Sequence, residues 1–121
     1  RLGLIHAGIV EVLDAHPPDA LSLERCFVGR NVQSALKLGH ARGAAMVAAV
    51  SRGVDVTEYT PGQIKLAVTG HGRAEKSQVQ EMVRVILSLT TKAPEDASDA
   101  LAAAICHIHG DSFHSRLQAA R

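Results

Sequence analysis

Two short strand-like segments held apart by one long helical pattern constrain this chain more than any other feature. Ala20–Glu24 is short and apolar up to its last residue, as suits a strand buried in a parallel sheet. Residues 54–59 alternate and include the β-branched Val54, Val56 and Thr57, which reads as a second strand. Between them Val32, Ala35, Leu36, Leu38, Gly39, Met46, Val47 and Val50 keep a 3.6-residue rhythm, with Asn31 placed to cap a helix that runs to about Ser51. Strand, crossover helix and strand imply parallel pairing and an α/β fold.

The flanks extend this pattern. Leu2, Leu4, Ile5, Ile9, Val12 and Leu13 mark an opening helix that Pro17 and Pro18 stop. After the second strand, Thr60 and Pro61 open a short helix to about Val68, and residues 69–73 form a glycine-bearing turn. A helix over residues 74–87 is expected to turn Val79, Met82, Val83, Val85 and Ile86 toward the core. The last helix is expected over residues 95–109, with Gly110 stopping it and a loosely attached tail beyond. A chain of 121 residues suits a single domain. Two strands make a poor sheet, and Arg1 enters directly into a helical pattern, so further strands are expected upstream.

Composition narrows the function classes. Aromatics are 2% of the residues against 46% apolar overall, so Ala, Val, Leu and Ile must build the core. A net charge of +1 excludes coating nucleic acid by bulk charge and leaves local basic patches for any such contact. Cys26 and Cys106 match no metal-ligand spacing and no disulfide framework, which fits a reducing cytosol. No apolar run approaches the roughly 20 residues that cross a bilayer, and no signal-peptide pattern opens the chain, so a cytoplasmic protein with no membrane partner is expected.

Glu24 ends the first strand, where open α/β sheets place their ligand crevices, although a strand-end glutamate is often only solvated. Asp96 and Asp99, three residues apart, share a face near the start of the last helix. Paired carboxylates suit a hard cation such as Mg²⁺, while Glu95 and Asp96 are also explained by the helix dipole. Cys106 and His109 could share a helical face toward zinc, but two further ligands are not evident. The run from Gly70 to Ser77 is one residue from a phosphate-binding loop. Glu75 stands in place of its last glycine, and the run follows a helix rather than a strand, so it fails as a nucleotide site. Basic residues gather after the strands and turns as Arg25, Arg30, Lys37, Arg42, Lys65, Arg73 and Lys76, with Phe27 a rare aromatic beside the first of them. Gly39 and Gly43, one turn apart on the long helix, suit close approach of another helix, within the chain or from a second copy.

Four blocks carry a resemblance: L-S-L-E-R-C-F from Leu21, N-V-Q-S-A-L-K-L-G-H-A-R-G from Asn31, Q-I-K-L-A-V-T-G-H-G-R-A-E-K-S-Q-V-Q from Gln63 and D-A-S-D-A-L-A-A-A-I-C-H from Asp96. In order and spacing they resemble the RuvC family of Holliday-junction resolvases over nearly the whole chain. The resemblance implies a ribonuclease-H-like fold and hydrolysis of DNA phosphodiester bonds by two Mg²⁺ ions, for which Mn²⁺ can substitute. It implies metal ligation by Glu24, Asp96 and Asp99, basic groups Lys65 and Lys76 near the scissile phosphate, and Phe27 as the aromatic that disrupts pairing at the crossover. With these, Arg30, Lys37 and Arg73 are the expected DNA contacts. The resemblance further implies a homodimer with the long helix at its interface, four-way junction DNA as substrate, cooperation with the RuvA and RuvB branch-migration proteins, and a bacterial, nucleoid-associated location.

The family's first catalytic aspartate lies on an N-terminal strand that has no counterpart after Arg1, so about forty upstream residues are expected from strand and hairpin lengths. The other readings are a junction-binding module without hydrolysis and another ribonuclease-H-like nuclease.

Overall fold

The computed structural model describes the backbone of residues 1–25 and 31–119, and the side chains of these up to residue 110. The element order is α1 (Leu2–Ala15), β1 (Ala20–Glu24), α2 (Val32–Ser51), β2 (Asp55–Tyr59), α3 (Pro61–Thr69), α4 (Lys76–Ile86) and α5 (Glu95–Ala119). β1 and β2 pair as a parallel two-stranded sheet among the described residues.

Local chemistry sets most of the boundaries. Asn31 caps α2, its side-chain oxygen accepting from the Ser34 N–H at 3.2 Å. Thr60 and Gln63 form a reciprocal capping box at the start of α3, at 3.1 and 2.8 Å, with Pro61 in the first turn where its missing N–H costs nothing. Gly70 ends α3 at φ 83°, a left-handed conformation that side chains rarely adopt, and its N–H returns to the Leu66 carbonyl at 2.9 Å. The glycine run after α3 is thus the end of a helix, not a loop following a strand.

Packing divides into two compact units. One comprises Arg1–Leu21 and Cys26–Thr57; α1 lies against α2 there, around buried Leu13, Ala48, Ala49 and Val54. The other comprises Ser22–Arg25 and Glu58–Arg121, where α3, α4 and α5 enclose a core of Ile64, Val68, Val79, Val83, Ala102, Ala103, Ile105 and Cys106. Small residues on α5 let the three helices approach closely, which is how a core almost without aromatic rings becomes dense.

Two expectations are corrected. α5 does not stop at Gly110 but continues to Ala119. A glycine inside a helix costs only about 1 kcal/mol against alanine, and this one is not in the left-handed conformation that ends helices. Its missing side chain also faces the Tyr59 hydroxyl, which an added Cβ would meet at 4.0 Å. Val85 and Ile86 face solvent rather than the core. Val79 and Val83 share the buried stripe, and Val85 lies about 200° around the helix from Val83.

Candidate active site

Strand and helix periodicity together bring two of the three expected acidic residues, Glu24 and Asp99, to one cleft. Ser22 and Glu24, two apart on β1, share one face of the strand. Asp99 and Ala103, four apart on α5, share one stripe of the helix. The Ser22 hydroxyl donates to the Ala103 carbonyl at 2.7 Å, a contact 81 residues apart in sequence that sets the strand face against the helix stripe. Glu24 and Asp99 consequently line one cleft of about 260 Å³.

The same cleft gathers Lys65 and Lys76. Lys65 follows Ile64 on α3, so burial of Ile64 in the core leaves the next side chain at the rim. Lys76 opens α4 and stands three residues before buried Val79. The apolar floor is made by Ile64, Val79 and Ala102. Carboxylates and ammonium groups over an apolar floor fit an anionic ligand held partly through a cation.

Lys76 is held by two carboxylates. Its Nζ lies 2.5 Å from Glu95 Oε1 and 3.3 Å from Asp99 Oδ2. Hydrogen bonds to Glu95 and then to Asp99 hold the ammonium above the ordinary lysine range, and Lys76 in turn holds the Glu95 carboxyl below the usual carboxylate range. Beside the cleft Arg25 pairs with Glu58 at 3.5 Å.

Of the expected ligands, Glu24 and Asp99 line the same cleft, while Asp96 is exposed and does not line it. Among the described residues no group of three or more His, Cys, Asp or Glu side chains converges as a metal site. The oxygen donors present fit Mg²⁺, which is held by one or two carboxylates and completes its shell with waters and substrate phosphate. Arg73 is exposed on the turn after α3, and Lys37 is exposed on α2, in the other unit. Phe27, Arg30 and Cys26 lie outside the described residues. Cys106 is buried with its thiol directed at the Gln63 carbonyl, 3.7 Å away, and burial raises its pKa. The Nδ1–H of His109 donates to the Ala67 carbonyl at 3.1 Å.

Sequence reasoning missed Glu95 and Ser22. The helix dipole suffices to explain Glu95 in sequence, yet its i, i+4 spacing from Asp99 is a usable signal that both could hold one cation. Ser22 carries no motif, and its alternation with Glu24 was the only hint of a shared face.

Comparison with known proteins defines the class and then the family. The Thermus thermophilus RuvC structure superposes with a TM-score of 0.86 at 42% identity, covering 93% of this chain and 69% of that one. T. thermophilus RuvC in complex with Holliday junction substrate superposes with a TM-score of 0.84 at 39% identity, over the same shares. These neighbours make the fold ribonuclease-H-like. Residues 1–107 match the family described as crossover junction endodeoxyribonuclease RuvC. The chain is 52% identical over 120 residues to the crossover junction endodeoxyribonuclease RuvC of Alkalilimnicola ehrlichii, covering 99% of this chain and 73% of that protein. It is 55% identical over 109 residues to that of Halorhodospira halophila, covering 90% and 65%. This chain belongs to the RuvC family. Across eight curated relatives it spans between 64 and 74% of their length.

Proposed function

We propose that this protein is a structure-selective endodeoxyribonuclease that resolves four-way DNA junctions in recombination and repair by metal-dependent hydrolysis of phosphodiester bonds. The observation that carries the reading is the cleft that Glu24, Asp99, Lys65 and Lys76 line together in a member of this family. Glu24 and Asp99 would hold the metal from within the cleft, and Asp96, exposed in the first turn of α5 outside it, would be the third ligand. Two Mg²⁺ ions, replaceable by Mn²⁺, would activate water and stabilise charge on the phosphate. Lys65 and Lys76 hold and neutralise the phosphate at the rim, in the way a lysine serves as a point charge. Phe27, Arg30, Lys37 and Arg73 contact the DNA around the crossover.

Both units belong to one nuclease domain on this reading, supported by the family match, which runs continuously through residues 1–107. A homodimer with α2 at its interface is supported by exposed Val32, Leu36, Val47 and Val50, and by Gly39 and Gly43, where an added Cβ would meet nothing within 4 Å. Such a dimer would set two sites on opposing strands of the junction, in the bacterial cytoplasm at the nucleoid and alongside RuvA and RuvB.

The test is Glu24→Gln in the purified full-length protein, on a synthetic four-way junction with Mg²⁺. Cleavage is expected to be lost while gel-shift binding persists, because an amide keeps the shape and is a poorer magnesium ligand. Cutting at the unmodified rate would remove Glu24 from the site. Binding that fails to weaken steeply with salt would contradict phosphate contact.

A further inference from the structure

The ion pairs of Lys76 are unequal, and they sort by position. Asp99 and Lys76 both line the cleft, whereas Glu95 stands outside it, one turn earlier on α5. The outer carboxylate has the closer hold, 2.5 Å against 3.3 Å. Glu95 and Asp99 lie on one stripe of the helix, so one ammonium reaches both without distorting α5. An ammonium free to pair with Asp99 alone would occupy the oxygen that a cation needs. An ammonium drawn outward leaves that oxygen open and keeps its own charge at the rim.

We infer that Glu95 is a positioning residue acting through Lys76: by taking the ammonium at closer range, it frees the Asp99 carboxylate for a divalent cation. The inference rests on Asp99 being a metal ligand. All three side chains are substantially exposed, Lys76 at 52%, Glu95 at 66% and Asp99 at 39%. Such pairs add little to folding, so replacing Glu95 leaves the protein folded and moves only the charge balance of the cleft. Removing Glu95 hands Lys76 entirely to Asp99, which then competes with the metal. The coupling of one exposed pair sets the scale at about a twofold to fivefold change in affinity.

The experiment is calorimetric titration of the protein with Mn²⁺ alone, without DNA, in a double-mutant cycle of Glu95→Gln and Lys76→Met. Glu95→Gln is expected to weaken Mn²⁺ binding by about twofold to fivefold in the unmodified background, as one exposed ion pair would. In the Lys76→Met background the same change should leave Mn²⁺ binding almost unmoved. An equal loss in both backgrounds would mean that Glu95 acts only as a distant negative charge, and would overturn the inference. So would no change in the unmodified background, or tighter binding. Asp99→Asn is titrated alongside: if it leaves Mn²⁺ binding intact, the ligand reading itself fails, whereas weakened binding in Asp99→Asn with an uncoupled cycle defeats the role of Glu95 alone.

Discussion

Val83→Ala tests the packing that aims α4 and its Lys76 at the cleft. Val83 is 0% exposed and sits among Val79, Ala102, Ala103 and Ile105. Removing two carbons at about 0.8 kcal/mol each forfeits roughly 1.6 kcal/mol of burial. A residual void of about 40 Å³ adds roughly 1 kcal/mol at ~24 cal/mol per Å³. The better helix propensity of alanine returns about 0.5 kcal/mol, leaving a net loss near 2 kcal/mol. At roughly 4 °C per kcal/mol for a chain of this size, the melting midpoint should fall by about 8 °C in a calorimetric or circular-dichroism scan. Val85→Ala on the same helix is the control: Val85 is 51% exposed, and its replacement should change stability by less than about 0.5 kcal/mol. A fall below about 2 °C for Val83→Ala, or equal falls for both variants, would refute the packing argument.

Ser22→Ala removes the hydroxyl that ties β1 to α5, and should cost about 1 kcal/mol in denaturant titration; an unchanged midpoint would mean the contact does not hold the cleft together. Arg52 holds Asp14 through hydrogen bonds at 2.9 and 3.3 Å and so keeps the Asp14 carboxyl below its ordinary range. A depressed carboxylate contributes stability above its unfolded pKa that is lost as pH falls through the folded value, so Arg52→Ala should flatten the acid limb of a plot of melting temperature against pH. In a Cys26→Ser variant, the buried Cys106 thiol, its pKa raised by desolvation, should react with a thiol reagent at neutral pH far more slowly than free cysteine does. Reaction at the rate of free cysteine would contradict its burial.

Much of the fold was legible because its signals are local. Asn31, and Thr60 with Pro61, act within a few residues of themselves, and the helix starts they imply at α2 and α3 are those observed. Periodicity likewise placed β1 and Val79 with Val83. It failed at Val85 and Ile86, because an apolar residue near the end of a short helix packs inward only if another element covers that side. It failed at Gly110 because a weak helix penalty is overridden when the surrounding structure supports the next turn.

The acidic residues were legible by type, and the four sequence blocks tied them to one family. Their geometry was not. The amino-acid order alone determined which carboxylates and lysines the chain carries, their spacing along each element, and the residues that start α2 and α3. Tertiary structure alone decided that Ser22 meets Ala103, that Glu24 shares its cleft with Asp99 and not with Asp96, and that Glu95 has the closer hold on Lys76. The physical reason is range: caps and periodicity act within a turn or two of chain, whereas a cleft is made by side chains tens of residues apart, whose meeting depends on how whole helices settle against one core.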